Sequence, residues 1–116
     1  MPAIDLSDET FVAAPPHRVA AAVHDQGWWA QLWPDLDLTV VEDRGPKGIR
    51  WTCAGALVGS CEVWLQVHGH GVIVHCYLRG DRPGLAGGND QRALRRRQRQ
   101  VKALMFAFKD RLEAAI

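Results

Sequence analysis

The stretch QRALRRRQRQVKALMFAFKDRLEAAI, residues 91–116, decides the fold. Leu94, Val101, Leu104, Met105, Phe108, Leu112 and Ile116 recur at steps of three, four or seven, which places them on one helical face. A helix of about 25 residues is ~37 Å long at 1.5 Å per residue, enough to cross a small domain. Its first turns, RALRRRQRQ, are strongly polar, whereas VKALMFAFKDRL is amphipathic and must cover an apolar surface.

Upstream, the period changes to two. Residues 38–42, 49–54, 60–67 and 72–79 read as strands separated by glycine-rich turns at 43–48, 55–59 and 68–71. Consecutive strands with short turns form an antiparallel meander. Counting outward from the turn centres pairs Cys53 with Cys61, Trp51 with Val63, Val63 with Cys76, and Trp64 with His75. One face then carries Ile49, Trp51, Cys53, Cys61, Val63, Leu65, Val67, Val72, Val74, Cys76 and Leu78; it is the surface the helix covers. The opposite face carries Arg50, Thr52, Glu62, Trp64, Gln66, Ile73, His75, Tyr77 and Arg79.

Before the meander, residues 6–13 form a first strand that Pro15-Pro16 ends. Residues 17–25 give a short helix with Val19, Ala20 and Val23 inward, and Gln26-Gly27 breaks it. WWAQLW, residues 28–33, suits one or two further helical turns closed by Pro34. Either Trp29 and Trp33 or Trp28 and Leu32 face the core. Residues 81–90 are the loop into the long helix, with Asn89 or Asp90 as its cap. The reading is α+β: strand, two short helices, four more strands, long helix, in a single domain over residues 1–116.

Composition narrows function only by class. The chain has 116 residues, 47% apolar and 23% charged, with net charge +1, so nothing pulls it globally toward nucleic acid or membrane. No apolar run is long enough for a membrane span, no secretory leader pattern opens the chain, and three unevenly spaced cysteines read as buried free thiols; a cytoplasmic location is expected.

The chain resembles the START-like, or Bet v 1-like, helix-grip superfamily (SRPBCC). It looks most like the small bacterial polyketide cyclase/dehydrase-type members. FVAAPPHRV before the first helix, WWAQLWPDL, the hairpin GSCEVWLQVHGHGVIVHCYLRGD and the arginine-rich entry to VKALMFAFKDRLEAA carry the resemblance. It implies a cavity between sheet and long helix that takes lipids, polyketides or other apolar molecules. At five strands this chain is shorter than the family's six or seven, so the cavity is expected to be small or open at one end. A shared fold does not by itself assign function.

The first functional reading is binding of a small hydrophobic or amphipathic molecule. Trp51, Val63, Leu65, Val74, Met105 and Phe108 would line the pocket, and Trp29 or Trp33 would close its mouth. Against it stands a Trp51 that simply fills a solid core. The second reading, implied by the resemblance, is a cyclase/dehydratase-type enzyme, but the apolar face supplies only thiols and Thr39 where a polar pair is needed. The third is a regulatory or interaction protein using Arg92, Arg95, Arg96 and Arg99. Cations at a helix N-terminus oppose the macrodipole and repel one another at i, i+4, so the run does not serve helix stability. It reads either as anion or partner capture, or as a solvated face or pocket rim; nucleic acid is disfavoured because no aromatics interleave with it. Trp64, His75 and Tyr77 suggest a homodimer contact on the outer sheet face. His68-x-His70 sits on a glycine-flanked turn without a third ligand, so no metal and no cofactor are expected.

Overall fold

The computed structural model describes residues 3–83 and 90–114. Strand β1 (Ile4–Val12) leads into helix α1 (Pro16–Val23), helix α2 (Gln26–Leu32) and strand β2 (Leu36–Asp43). After a single 3-10 turn, Gly45–Lys47, come β3 (Gly48–Gly55), β4 (Val58–His68), β5 (Gly71–Asp81) and helix α3 (Asp90–Ala114). The five strands form one antiparallel sheet in the order β1-β5-β4-β3-β2, so the first strand closes the meander on its far side. The expected α+β architecture is observed. Asn89, the alternative cap, and Ile116 lie outside the described residues.

The local reasons are largely those of the sequence. Pro16 occupies the first turn of α1, where a missing N–H costs nothing, and Val19 and Val23 bury its inner side. Gln26-Gly27 does not break a helix; it begins one. Asp25 is the N-cap of α2, its carboxylate accepting from the Gly27 N–H at 3.1 Å. On α2, Trp28 and Leu32 are buried, the C-cap Trp33 joins them, and Trp29 is half-buried. Along α3, Val101, Met105, Phe108 and Leu112 are buried, and Leu94 and Leu104 pack partly against the same cluster.

The two faces of the sheet separate as the alternation predicts, with two exceptions: Val67 on the inner face is 65% exposed, and His75 on the outer face is buried. The β3–β4 ladder ends at Gly48 opposite Trp64, so β4 beyond that point pairs only with β5 and runs out from under the helices. The β4–β5 register is as counted, Val63 facing Cys76 and Trp64 facing His75. The β3–β4 register is not. Trp51 faces Cys61, Ile49 faces Val63, and Cys53 faces Gly59. This two-residue slip preserves which side chains point inward, because the side-chain period is two.

Helix α3 also protects a sheet edge. Its Lys102 Nζ donates to the Glu9 carbonyl at 3.1 Å and pairs with Asp8 at 2.7 Å, while Lys109 Nζ donates to the Phe11 carbonyl at 2.8 Å. Charged side chains thus cover β1, which would otherwise offer an open ladder. The other edge strand, β2, carries a bulge between Val40 and Glu42, a second device against edge pairing. Among the described residues no helix is long and apolar enough to cross a membrane.

Candidate functional site

Beneath α3 the sequence-predicted wall residues come together. Trp51, Val63, Val74 and Met105 are 0% exposed and Phe108 is 2% exposed, all in one cluster with Leu65. Zero exposure means that no water-sized void touches them: the interior is packed. Trp28 lies against Phe108 with ring centroids 4.7 Å apart, and Trp29 meets Trp51 edge-on at 5.1 Å.

This packing leaves three donors without acceptors. The indole N–H groups of Trp28, Trp33 and Trp51 are buried and have no hydrogen-bond partner, whereas that of Trp29 donates to the Val23 carbonyl at 2.6 Å. A buried indole N–H usually finds a partner, and an orphaned one costs about 1–3 kcal/mol. The rest of the interior offers little chemistry. The three cysteines are free and buried, and desolvation pushes the Cys61 and Cys76 thiols far up, so neither is a nucleophile at neutral pH. Among the described residues the buried polar ones are Thr10, tied to Asp8 and Lys102, and His75, which lies on the outer face.

Trp29 and Trp33 line a shallow groove of about 430 Å³ between α2 and β2. The basic run does not act as one patch. Arg95 and Arg99 lie with Lys102 beside Ser7 and Asp8 of β1, while Arg96 and Arg97 turn to the other side of α3. There Arg97 forms a two-pronged ion pair with Asp35, at 3.0 and 2.7 Å, which pins the start of α3 to the α2–β2 connection. These hydrogen bonds hold the Asp35 carboxyl below the usual carboxylate range. A lowered folded-state pKa adds stability above about pH 4, lost as pH falls through the depressed value. Because Asp35 is half exposed, Asp35→Asn should cost less than about 1 kcal/mol at neutral pH. Urea unfolding of the two proteins should converge as pH falls below the depressed value; a difference that persists there would assign the loss to packing instead.

On the outer face, Trp64, His75 and Tyr77 are neighbours as predicted, but His75 is buried there, not displayed. Trp64 covers its ring at 4.5 Å, Gln66 Oε1 lies 2.9 Å from its Nε2, and Glu9 and Tyr77 flank Nδ1 at 3.4 and 3.5 Å. Beside them runs an open furrow of about 620 Å³ whose acids, Asp5 and Glu62, and bases, Arg50 and Arg79, balance in number.

The fold is shared with solved structures. Protein DR_A0006 from Deinococcus radiodurans superposes with TM-score 0.72 over 97% of this chain and 99% of its own, at 15% identity. The Aha1 dimer from Colwellia psychrerythraea gives 0.68 over 95% and 96%, at 14% identity. TTHA0849 from Thermus thermophilus gives 0.60 over 96% and 98%, at 19% identity. This is the helix-grip fold. No family model matches the sequence, and no curated protein matches it either. At these identities the likeness concerns the helix-grip scaffold and not an activity. Sequence reasoning missed the Asp35–Arg97 pair and the orphaned indoles, since neither leaves a periodic or motif signal. The tryptophan content, five in 116 residues, was the one hint of the latter.

Proposed function

We propose that the domain binds a small apolar molecule carrying a hydrogen-bond acceptor, in the interior between the sheet and α3. The observation that carries this reading is the set of three buried indole donors, Trp28, Trp33 and Trp51, left without acceptors in one apolar cluster. A carbonyl, ether or hydroxyl oxygen on a ligand would recover part of the penalty of about 1–3 kcal/mol that each carries. The interior between sheet and helix is packed, so binding requires α3 to move outward from the sheet. The basic half of that helix is held by two ion pairs, Arg97–Asp35 and Lys102–Asp8, each with one partner partly exposed, and both must part when the helix opens. Met105, at the centre of the contact, is unbranched and can re-rotate around a guest. Val63, Leu65, Val74 and Phe108 would form the remaining wall, with Trp29 and Trp33 at the mouth. A cyclase-type reaction has less support, because the buried thiols stay protonated and the ionisable pair beside Cys76, Asp8 with Lys102, is closed on itself at 2.7 Å.

Prodan, a neutral naphthyl ketone whose emission reports polarity, tests the reading. Its emission should shift to the blue on mixing with the protein, and Val74→Trp or Met105→Trp should weaken binding at least about tenfold by filling the site. Circular dichroism would verify that each variant is folded. No binding, or equal binding by the folded variants, would remove the proposal.

A further inference from the structure

The pocket on the other side of α3 says what kind of molecule the domain would select. It encloses about 240 Å³ between α3, the α2–β2 connection and the β3–β4 turn. At about 30 Å³ per water it has room for roughly eight heavy atoms. Its floor is apolar: Ile4 and Leu57 are 1% and 2% exposed and belong to the same core cluster as Trp51 and Met105, with Ala93 packed against them. Its rim carries Arg96 and Arg97 from α3 and the single carboxylate of Asp35. A third guanidinium, Arg82, lines the same space and is ion-paired with Asp90.

The charges are uneven in a telling way. Arg97 is only 14% exposed and is fully engaged by Asp35, whereas Arg96, one residue away on the rim, has no hydrogen bond or ion pair among the described residues. Arg96 is also unfavourable where it stands, four residues from Arg92 on the same helix and in its N-terminal half. With Arg97 held by Asp35 and Arg82 by Asp90, the guanidinium of Arg96 leaves the pocket with an excess of positive charge above an apolar floor. A planar carboxylate is the anion that a guanidinium fork fits in two-pronged fashion, as Asp35 already demonstrates on Arg97.

We infer that this pocket is the head-group site of the domain's ligand. Arg96 takes a carboxylate at the rim, and the apolar body lies on Ile4, Leu57 and Ala93 and reaches toward the interior. The ligand class is then a small amphipathic carboxylic acid. The inference rests on the proposed binding of an apolar molecule and deepens it by naming the charged end.

Octanoate and octanol, titrated calorimetrically against the full chain, separate the two claims. Octanoate should bind at least about tenfold tighter than octanol, the scale of a charge-assisted hydrogen bond, and its affinity should fall as sodium chloride is raised. Arg96→Gln, at an exposed position that leaves the core untouched, should abolish that preference without weakening octanol. Lys47→Gln, a distant surface cation, should leave it intact. Equal binding of acid and alcohol by the native protein would overturn the head-group assignment while leaving the interior reading standing. Binding of neither would overturn both. An octanoate preference that survives Arg96→Gln would move the anion site elsewhere and refute this assignment. Octyl phosphate binding tighter than octanoate would refute the carboxylate class.

Discussion

Truncating Trp51 to alanine should cost about 3–5 kcal/mol of folding stability, the largest loss expected from any single side chain here. Trp51 lies on the central part of β3 with no exposed surface, faces Cys61 across the ladder and meets the edge of Trp29. Removing its indole deletes a large apolar body and leaves a cavity that α1, α2 and α3 cannot all collapse into, since each is anchored by its own buried residues. The loss should appear as a lower urea midpoint with little change in slope. Trp51→Phe should cost much less, because the ring that survives keeps most of the packing while the orphaned donor disappears. The cavity of Trp51→Ala should in turn bind free indole, raising its Tm with the logarithm of ligand concentration once the site is mostly filled. Equal penalties for alanine and phenylalanine would mean that a phenyl ring recovers none of the packing the indole provides.

The second large effect is at a glycine. Gly48 begins β3 at φ +124°, a backbone region side chains rarely adopt, and a Cβ there would stand 2.0 Å from the Val63 carbonyl oxygen. Strain and clash fall together on the start of the β3–β4 ladder, where Gly48 faces Trp64. Gly48→Ala should therefore cost about 2–4 kcal/mol. Gly69, at φ +59° on the β4–β5 turn, has nothing within 4 Å of the same atom, and Gly69→Asn should change stability by no more than about 0.5 kcal/mol. Thermal or urea unfolding of the pair decides the point; similar losses at both sites would show that backbone conformation alone, not the close approach of β4, sets the requirement at Gly48.

Much of the fold was legible because it is written in periods. The alternation from Ile49 to Leu78 named the inward face, and the three- and four-residue steps from Val101 to Leu112 named the helix stripe that covers it. What the periods do not encode is where an element stops. The sheet runs on to Gly55, whose φ of +94° turns the chain there, so the β3–β4 turn is tighter and centred earlier than its glycines suggest, and Cys53 faces Gly59 instead of Cys61. Val67 continues the pattern past the end of β3, where no helix covers it. His75 is buried on an outward face because Trp64, Gln66, Glu9 and Tyr77 close over it from three strands, a cooperation no single strand's pattern reveals. The site was legible in part for the same reason. Hydrophobic wall positions follow from the stripe, but Asp35 and Arg97 are 62 residues apart and meet only through the fold. Of the four arginines singled out from the run, Arg96 alone lines the rim pocket, while Arg95 and Arg99 face β1; helix geometry divides what sequence order groups.

The most direct measurement is the two-dimensional nitrogen–proton spectrum of the five indole groups, recorded with and without saturating prodan. Interior binding through the orphaned donors predicts that at least one of the Trp28, Trp33 and Trp51 indole protons moves downfield as it gains an acceptor. Trp64, on the outer face, should stay where it is. If prodan leaves all three buried indoles unmoved, or shifts Trp64 alone, the ligand does not enter between sheet and helix and the account is wrong.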